Sequence, residues 1–295
     1  MLKKTVYFSS LLTLFACFSF TGLSQENKKA LLPTAIIYSN GDSILIHYDS
    51  LDRIVKKIYR YDNKDMGRSH VDLTHTYNDK GDLERELLQS SFFDLLLVYG
   101  NYTYRYVQDT AFRVSKNISL TFHENNECRS IETVCTDTLI VDPKRRLIKT
   151  LFNQQIAPGQ YDSNLQKTTA YQYEDEHNVA IEYTDENRKD NGITEKLYKR
   201  TLLYDNRKSI FSSVNIEPWV MAMDWQLKEF AMGTPIHTLH AASDIDEPKI
   251  KHVKSKMEYT YNTDGYPSEM KIHKTYENDS TALTTARIEY KQIMR

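Results

Sequence analysis

The chain has 295 residues, of which 26% are charged and 40% hydrophobic, with a formal net charge of -2 at pH 7. That balance, with no basic block, excludes the electrostatic footprint of a nucleic-acid binder. A content of 9 Gly and 7 Pro excludes a low-complexity chain, whereas 21 tyrosines are unusual and need an explanation.

The first residues read as an export signal. Lys3 and Lys4 form a positive start, Val6 to Ala16 is an apolar run, and Gly22-Leu23-Ser24 supplies small residues for cleavage before Gln25. Residues 1–24 are therefore expected to be removed, leaving 25–295 as a single domain in the periplasm, at the cell surface or secreted. Leu14-Phe15-Ala16-Cys17 resembles a lipoprotein processing box, so an anchor on Cys17 is the alternative. No later segment is long and apolar enough for a membrane helix.

From residue 48 onward one unit recurs, an aromatic-x-Tyr-Asp/Asn ending followed by a polar turn and an alternating strand. Copies are Tyr59-Arg60-Tyr61-Asp62, Tyr77-Asn78-Asp79-Lys80-Gly81, Tyr171-Gln172-Tyr173-Glu174, Leu203-Tyr204-Asp205-Asn206 and Tyr259-Thr260-Tyr261-Asn262-Thr263-Asp264-Gly265. Tyr48-Asp49 and Asp142-Pro143 are degenerate versions. Asn or Asp starts each bend and Gly accepts positive φ, the chemistry of hairpin connections. The flanking segments alternate with period two. Met257, Tyr259 and Tyr261 oppose Lys256, Glu258 and Thr260; Ile288 and Tyr290 oppose Arg287, Glu289 and Lys291. Val179, Ile181 and Tyr183 form an apolar face opposite Ala180, Glu182 and Thr184, which is expected to be wet. Residues 53–61 have mixed faces, with Lys57 beside Val55, Tyr59 and Tyr61, as suits a single-layer sheet or a wide barrel.

Cys128 and Cys135 survive signal removal, and export favours a disulfide. The segment between them reads as one extended strand, which sets their Cα atoms roughly 23 Å apart, whereas a bridge needs about 7 Å. No intrachain disulfide is expected.

One helix of about three turns is predicted near 218–232, with Pro218 at its first position and Gly233 as its cap. Its apolar side carries Trp219, Trp225 and Phe230. These three are the candidate binding surface; the plainer expectation is that they pack on the sheet or close a barrel end. His237 and His240 with Asp244 and Asp246 are read as solvated loop residues rather than a metal site, and Asn262-x-Asp264-Gly265 as a turn rather than a calcium loop. No nucleophile elbow, phosphate loop or dinucleotide fingerprint occurs. No catalytic residue, cofactor or metal is assigned, and the protein is expected not to be an enzyme. The repeat tyrosines are expected to pair across strands, their hydroxyls wet, rather than to stack sugars. Short Asp-Ser/Thr-apolar sequences such as Asp42-Ser43-Ile44 resemble O-glycosylation acceptors.

The Tyr-Asp units resemble the hairpin repeats of large bacterial surface proteins. Tyr204-Asp205-Asn206-Arg207-Lys208-Ser209-Ile210-Phe211 with Asn215-Ile216-Glu217-Pro218-Trp219 more closely resembles an exported Bacteroidetes domain family of unknown function with a porin-like fold. Glu217-Pro218 stands where that family has Asn-Pro, and several repeats lack the Gly. The resemblance implies an all-β, large antiparallel up-and-down meander, strongly curled or closed into a barrel, with one short helix; it carries no activity. A mean hydropathy of -0.59 and strand faces bearing Lys, Glu and Arg argue against a true membrane barrel. The expected function is a non-enzymatic envelope or cell-surface module, structural or binding a glycan or another envelope protein. An outer-membrane channel and a surface-polymer hydrolase are the alternatives.

Overall fold

In the computed structural model the described residues are 29–63, 67–92, 95–122, 128–156, 165–174, 179–188, 196–224, 226–230, 233–244 and 247–294. The chain divides into Met1–Ala30 with Gln292–Arg295, and Leu31–Lys291, which carries the barrel. Among the described residues there are sixteen strands. The first eight are β1 (Lys29–Tyr38), β2 (Ser43–Tyr48), β3 (Ile54–Asn63), β4 (Gly67–Tyr77), β5 (Leu83–Phe92), β6 (Leu95–Val107), β7 (Thr110–Phe122) and β8 (Cys128–Val141). Then follow β9 (Leu147–Ile156), β10 (Leu165–Glu174), β11 (Val179–Arg188), β12 (Lys196–Asp205), β13 (Thr234–Asp244), β14 (Glu247–Tyr261), β15 (Pro267–Thr275) and β16 (Thr281–Met294). Each strand pairs with its chain neighbours, and β16 returns to β1, so the meander closes into an antiparallel barrel without sheet edges.

The Tyr-Asp turns have a common construction. Asp49, Asn78, Asp142 and Asn262 each donate their backbone N–H to the carbonyl at the far end of a five-residue loop, that of Arg53, Asp82, Arg146 and Tyr266 respectively. Their side-chain oxygens accept backbone N–H groups from the same loops. The fourth residue takes positive φ: Gly81 at 90° and Gly265 at 80°, but Asp52 and Arg145 at 60°. Asp and Arg thus fill positions where the repeat prefers Gly.

Just inside these turns the register shifts, so that one extra residue sits near the start of the odd-numbered strand: Val55, Glu84, Ile148, Ile236 and Ser268. The bulge exposes the carbonyl of a residue at or beside the strand start, and a tyrosine near the end of the next strand closes it. Tyr77 donates to the Ile54 carbonyl at 2.8 Å, Tyr106 to Leu83 at 2.6 Å, and Tyr173 to Leu147 at 2.7 Å. Tyr259 donates to Pro235 and Tyr290 to Pro267, both at 2.7 Å. The repeat tyrosines are thus hydrogen-bonded closures with part-buried rings, rather than wet hydroxyls. Arg53 lies over the Tyr77 ring and Arg146 over that of Tyr173.

The bulges also settle the mixed faces of residues 53–61. Lys57 and Tyr59 point into the barrel; Ile54 would alternate to the outside, but the extra Val55 turns it inward, and it is fully buried. On β11 the expectation was inverted. Ala180 and Glu182, predicted to be wet, face the interior, where Glu182 meets Arg200. The lumen of a wide barrel is itself polar, so polarity alone does not say which face looks out. Cys128 and Cys135 lie on one continuous strand, β8, and Cys135 is a buried free thiol.

The connection from β12 to β13, residues 206–233, folds into the barrel as a plug. The single predicted helix is divided into α1 (Pro218–Ala222) and a 3-10 turn at Lys228–Phe230. The break falls at Asp224, whose Oδ1 accepts the N–H groups of Gln226 and Leu227 while its carbonyl accepts that of Lys228. Ile210, Phe211, Met221, Leu227 and Phe230 form one apolar cluster with Ile36, Ile44, Ile46, Leu73, Met270 and Ile288; Trp219 and Val220 form another with Leu83, Leu139, Val141 and Leu147. The plug therefore packs against two arcs of the inner wall, β1–β4 with β15–β16 and β5–β9.

Candidate functional site

The plug is tied to the rim that carries the Tyr-Asp turns. Asn215 donates its backbone N–H to the Asp52 carbonyl and its amide to that of Leu51. Arg145 donates to both carboxylate oxygens of Glu217, at 3.1 and 2.9 Å, and Lys208 donates to the Asp264 carbonyl. Deeper in, the Asp224 carboxylate meets Lys57 and accepts from Tyr59 at 2.6 Å, with Lys57 2% and Asp224 5% exposed. Burial alone would raise the Asp224 pKa; pairing with Lys57 and the hydrogen bonds to it overcome that and lower it.

On the lumen side of this plug lies a cavity of about 710 Å³. Tyr59, Gln226, Lys228, Glu229 and Phe230 line it together with Tyr38, Tyr61, Lys167, Glu182 and Arg200. Burial, followed by the charge of Glu229, pushes the Tyr38 phenol up to about 12, and burial does the same for Tyr61. Both hydroxyls remain protonated near neutral pH, and that of Tyr61 accepts from Gln226 at 3.0 Å. Arg200 Nη2 lies 2.6 Å from Glu182 Oε2.

A second cavity of about 290 Å³ lies against Trp219, Tyr102, Tyr104, Arg113, Cys135 and Asp224. Two polar pairs lie beside it: Arg113 with Asp137 at 2.5 Å, and His75 Nε2 with Glu86 Oε2 at 3.0 Å. Burial, then the nearby Lys57, lowers the His75 pKa, while burial raises that of Asp137 despite Arg113. Burial likewise raises the Cys135 thiol, away from the reactive thiolate.

Trp219 is 1% exposed, with its ring against those of Tyr104 and Tyr106, and Phe230 is 6% exposed, edge-on to Phe211. Both are buried in the plug, Phe230 against the larger cavity and Trp219 against the smaller. Trp225 lies outside the described residues, as do the side chains of His240, Asp244 and Asp246. His237 is exposed on β13, which is strand rather than the expected loop. Among the described residues no group of three His, Cys, Asp or Glu is placed to hold a metal ion. Sequence reasoning missed the charged lumen residues Lys57, Arg113, Asp137, Glu182 and Arg200. The signal that could have found one of them is the alternation itself, since Lys57 shares a strand face with Tyr59 and Tyr61.

Fold and site together define a sixteen-stranded barrel plugged at one rim, with a polar chamber behind the plug. The chain matches no family model and no curated protein. Among solved structures it is similar to a porin-like protein from Bacteroides vulgatus, at 12% identity and a TM-score of 0.40, covering 88% of this chain and 99% of that one. A porin-like protein from Bacteroides uniformis is similar at 10% identity and a TM-score of 0.36, over 88% of this chain and 96% of that one.

Proposed function

We propose that the protein is an exported, non-enzymatic binding module of the cell envelope, a cup rather than a pore. The observation that carries this reading is the plug, which is hydrogen-bonded to the turns of one rim and leaves a polar chamber of about 710 Å³ behind it. That volume falls within the range of small-molecule sites. The outer wall supports the same reading. On β14–β16 it presents Lys254, Lys256, Glu258, Glu269, Lys271, His273, Arg287 and Glu289, all exposed. A cation on a lipid-facing barrel surface costs about 2–4 kcal/mol at mid-membrane, so this wall favours water. Outward apolar side chains gather instead on β7 and β8, as Phe112, Val114, Ile118, Leu120 and Val134. The lumen acids Asp137, Asp224 and Glu182 each sit against a cation, an arrangement for structure rather than proton transfer.

Native-cell fractionation with intact mass, followed by planar-bilayer recording, tests the proposal. Recovery without detergent, a mass beginning at Gln25 and no conductance is the expected result. A lipidated Cys17 would change the anchoring but keep the module. Stepwise ion conductance would establish the channel instead.

A further inference from the structure

Cations crowd the wall where the 3-10 turn of the plug faces β10–β12. Arg200 Nη2 is 2.6 Å from Glu182 Oε2, and Lys228 Nζ reaches that same oxygen at 3.9 Å. Glu229 stands 3.9 Å from Arg200 Nη1. Glu182 Oε2 thus lies near two cations, yet it is buried with no hydrogen-bond partner among the described residues. The Nε of Arg200 is buried with no hydrogen-bond partner among the described residues, a costly state for a charged donor. Burial, then the charge of Arg200, lowers the Lys228 pKa; Lys167 adds to this, while Glu182 and Glu229 oppose it. Burial comes first in that shift, so it marks Lys228 as a partly desolvated cation beside a second one. Over the whole chamber, the basic side chains Arg60, Lys167, Arg200, Lys228 and Lys274 outnumber the acidic Asp42, Glu182 and Glu229.

We infer that the chamber takes a small organic anion, whose carboxylate or phosphate is held between Lys228 and Arg200, a conclusion that rests on the reading of the protein as a binding module. An oxyanion there accepts from Lys228 Nζ and from the terminal guanidinium nitrogens of Arg200. Tyr38 stands on the same chamber wall as a donor for a polar body attached to the anion.

Calorimetric titration of the mature protein at pH 7 and low salt, with digalacturonate, its dimethyl ester and inorganic phosphate, tests the inference. The first two probes share the same sugar body; the ester replaces each carboxylate charge with a neutral methyl ester. Digalacturonate should bind at least about ten-fold tighter than the ester. Lys228→Gln should weaken the acid about three- to ten-fold without affecting the ester. Its side chain is 34% exposed, so the fold should survive, which circular dichroism confirms or denies. Arg200→Lys, which keeps the charge but removes Nε and the fork, should also weaken the acid. Phosphate binding alone, lost in Lys228→Gln, supports the anion site with a bare oxyanion as its ligand. Equal affinity for acid and ester overturns the inference while leaving a binding chamber. An unchanged acid affinity in a folded Lys228→Gln overturns it as well. Silence from all three probes overturns it too, and the module reading then stands or falls on fractionation and conductance.

Discussion

Asp224 joins the plug to the wall by accepting from Lys57 and Tyr59 on one oxygen and from two backbone N–H groups on the other. Asp224→Ala leaves the Lys57 ammonium, 2% exposed, buried without its counter-charge. Breaking a buried pair from one side costs about 3–5 kcal/mol, which for a chain of this size corresponds to a fall in Tm of roughly 6–20 °C. The double variant Lys57→Met/Asp224→Ala removes both charges and should recover part of that loss. Urea unfolding followed by tryptophan fluorescence measures it, since Trp219 is buried within the plug. If the single variant unfolds at the same urea concentration as the double, Lys57 is not stranded and the reasoning fails. The pH dependence gives a second reading. The folded Asp224 pKa is lowered from 3.8, so its stabilisation is present above the unfolded pKa and lost as pH falls through the folded one. Asp224→Ala should flatten the stability curve in that acid window.

Other predictions follow from the turns and the lumen. Tyr77→Phe removes the donor to the Ile54 carbonyl and should cost about 1–2 kcal/mol in denaturant unfolding; Tyr276→Phe, on an exposed ring, should be near neutral. Gly81→Ala meets nothing closer than Arg53 Nη1 at 3.8 Å, so its cost of about 1–2 kcal/mol in denaturant unfolding should come from the positive φ alone, and an unchanged stability would contradict this. The His75 pKa is lowered from 6.5 by burial and by Lys57, against Glu86. The unfolded chain therefore takes up its proton first, and stability should be full above pH 6.5 and decline below it. His75→Gln should reduce that slope in thermal melts between pH 5 and 7.

The hairpin repeat could be read directly, because Asn78 with Gly81 and Asn262 with Gly265 state both requirements of the turn, a side-chain acceptor and a residue that tolerates positive φ. Asp49–Asp52 and Asp142–Arg145 build the same turn with a non-Gly residue, which is why they looked degenerate. Barrel closure follows from the meander, but the bulges at Val55, Glu84 and Ile148 carry no residue signature and are fixed only by pairing. The helix was overextended because Asp224 reads as a solvent-side residue of a helix, whereas it is buried against Lys57, a partner 167 positions away. The chamber escaped notice for the same reason. Glu182 and Arg200 acquire their meaning from cross-strand pairing, and alternation alone assigned Glu182 to the outside.

The tyrosine closures have a consequence for how such a barrel changes size. Each bulge carbonyl is sealed by a residue from the strand that follows, so Leu83 is unfinished without Tyr106, and Pro267 without Tyr290. Removing one strand would orphan a carbonyl and reverse the direction of every strand after it. Removing a strand pair with its turn hands the exposed carbonyl to the next tyrosine in line. Duplication and deletion in this architecture should therefore succeed in steps of two strands, each step carrying one turn, one bulge and one tyrosine.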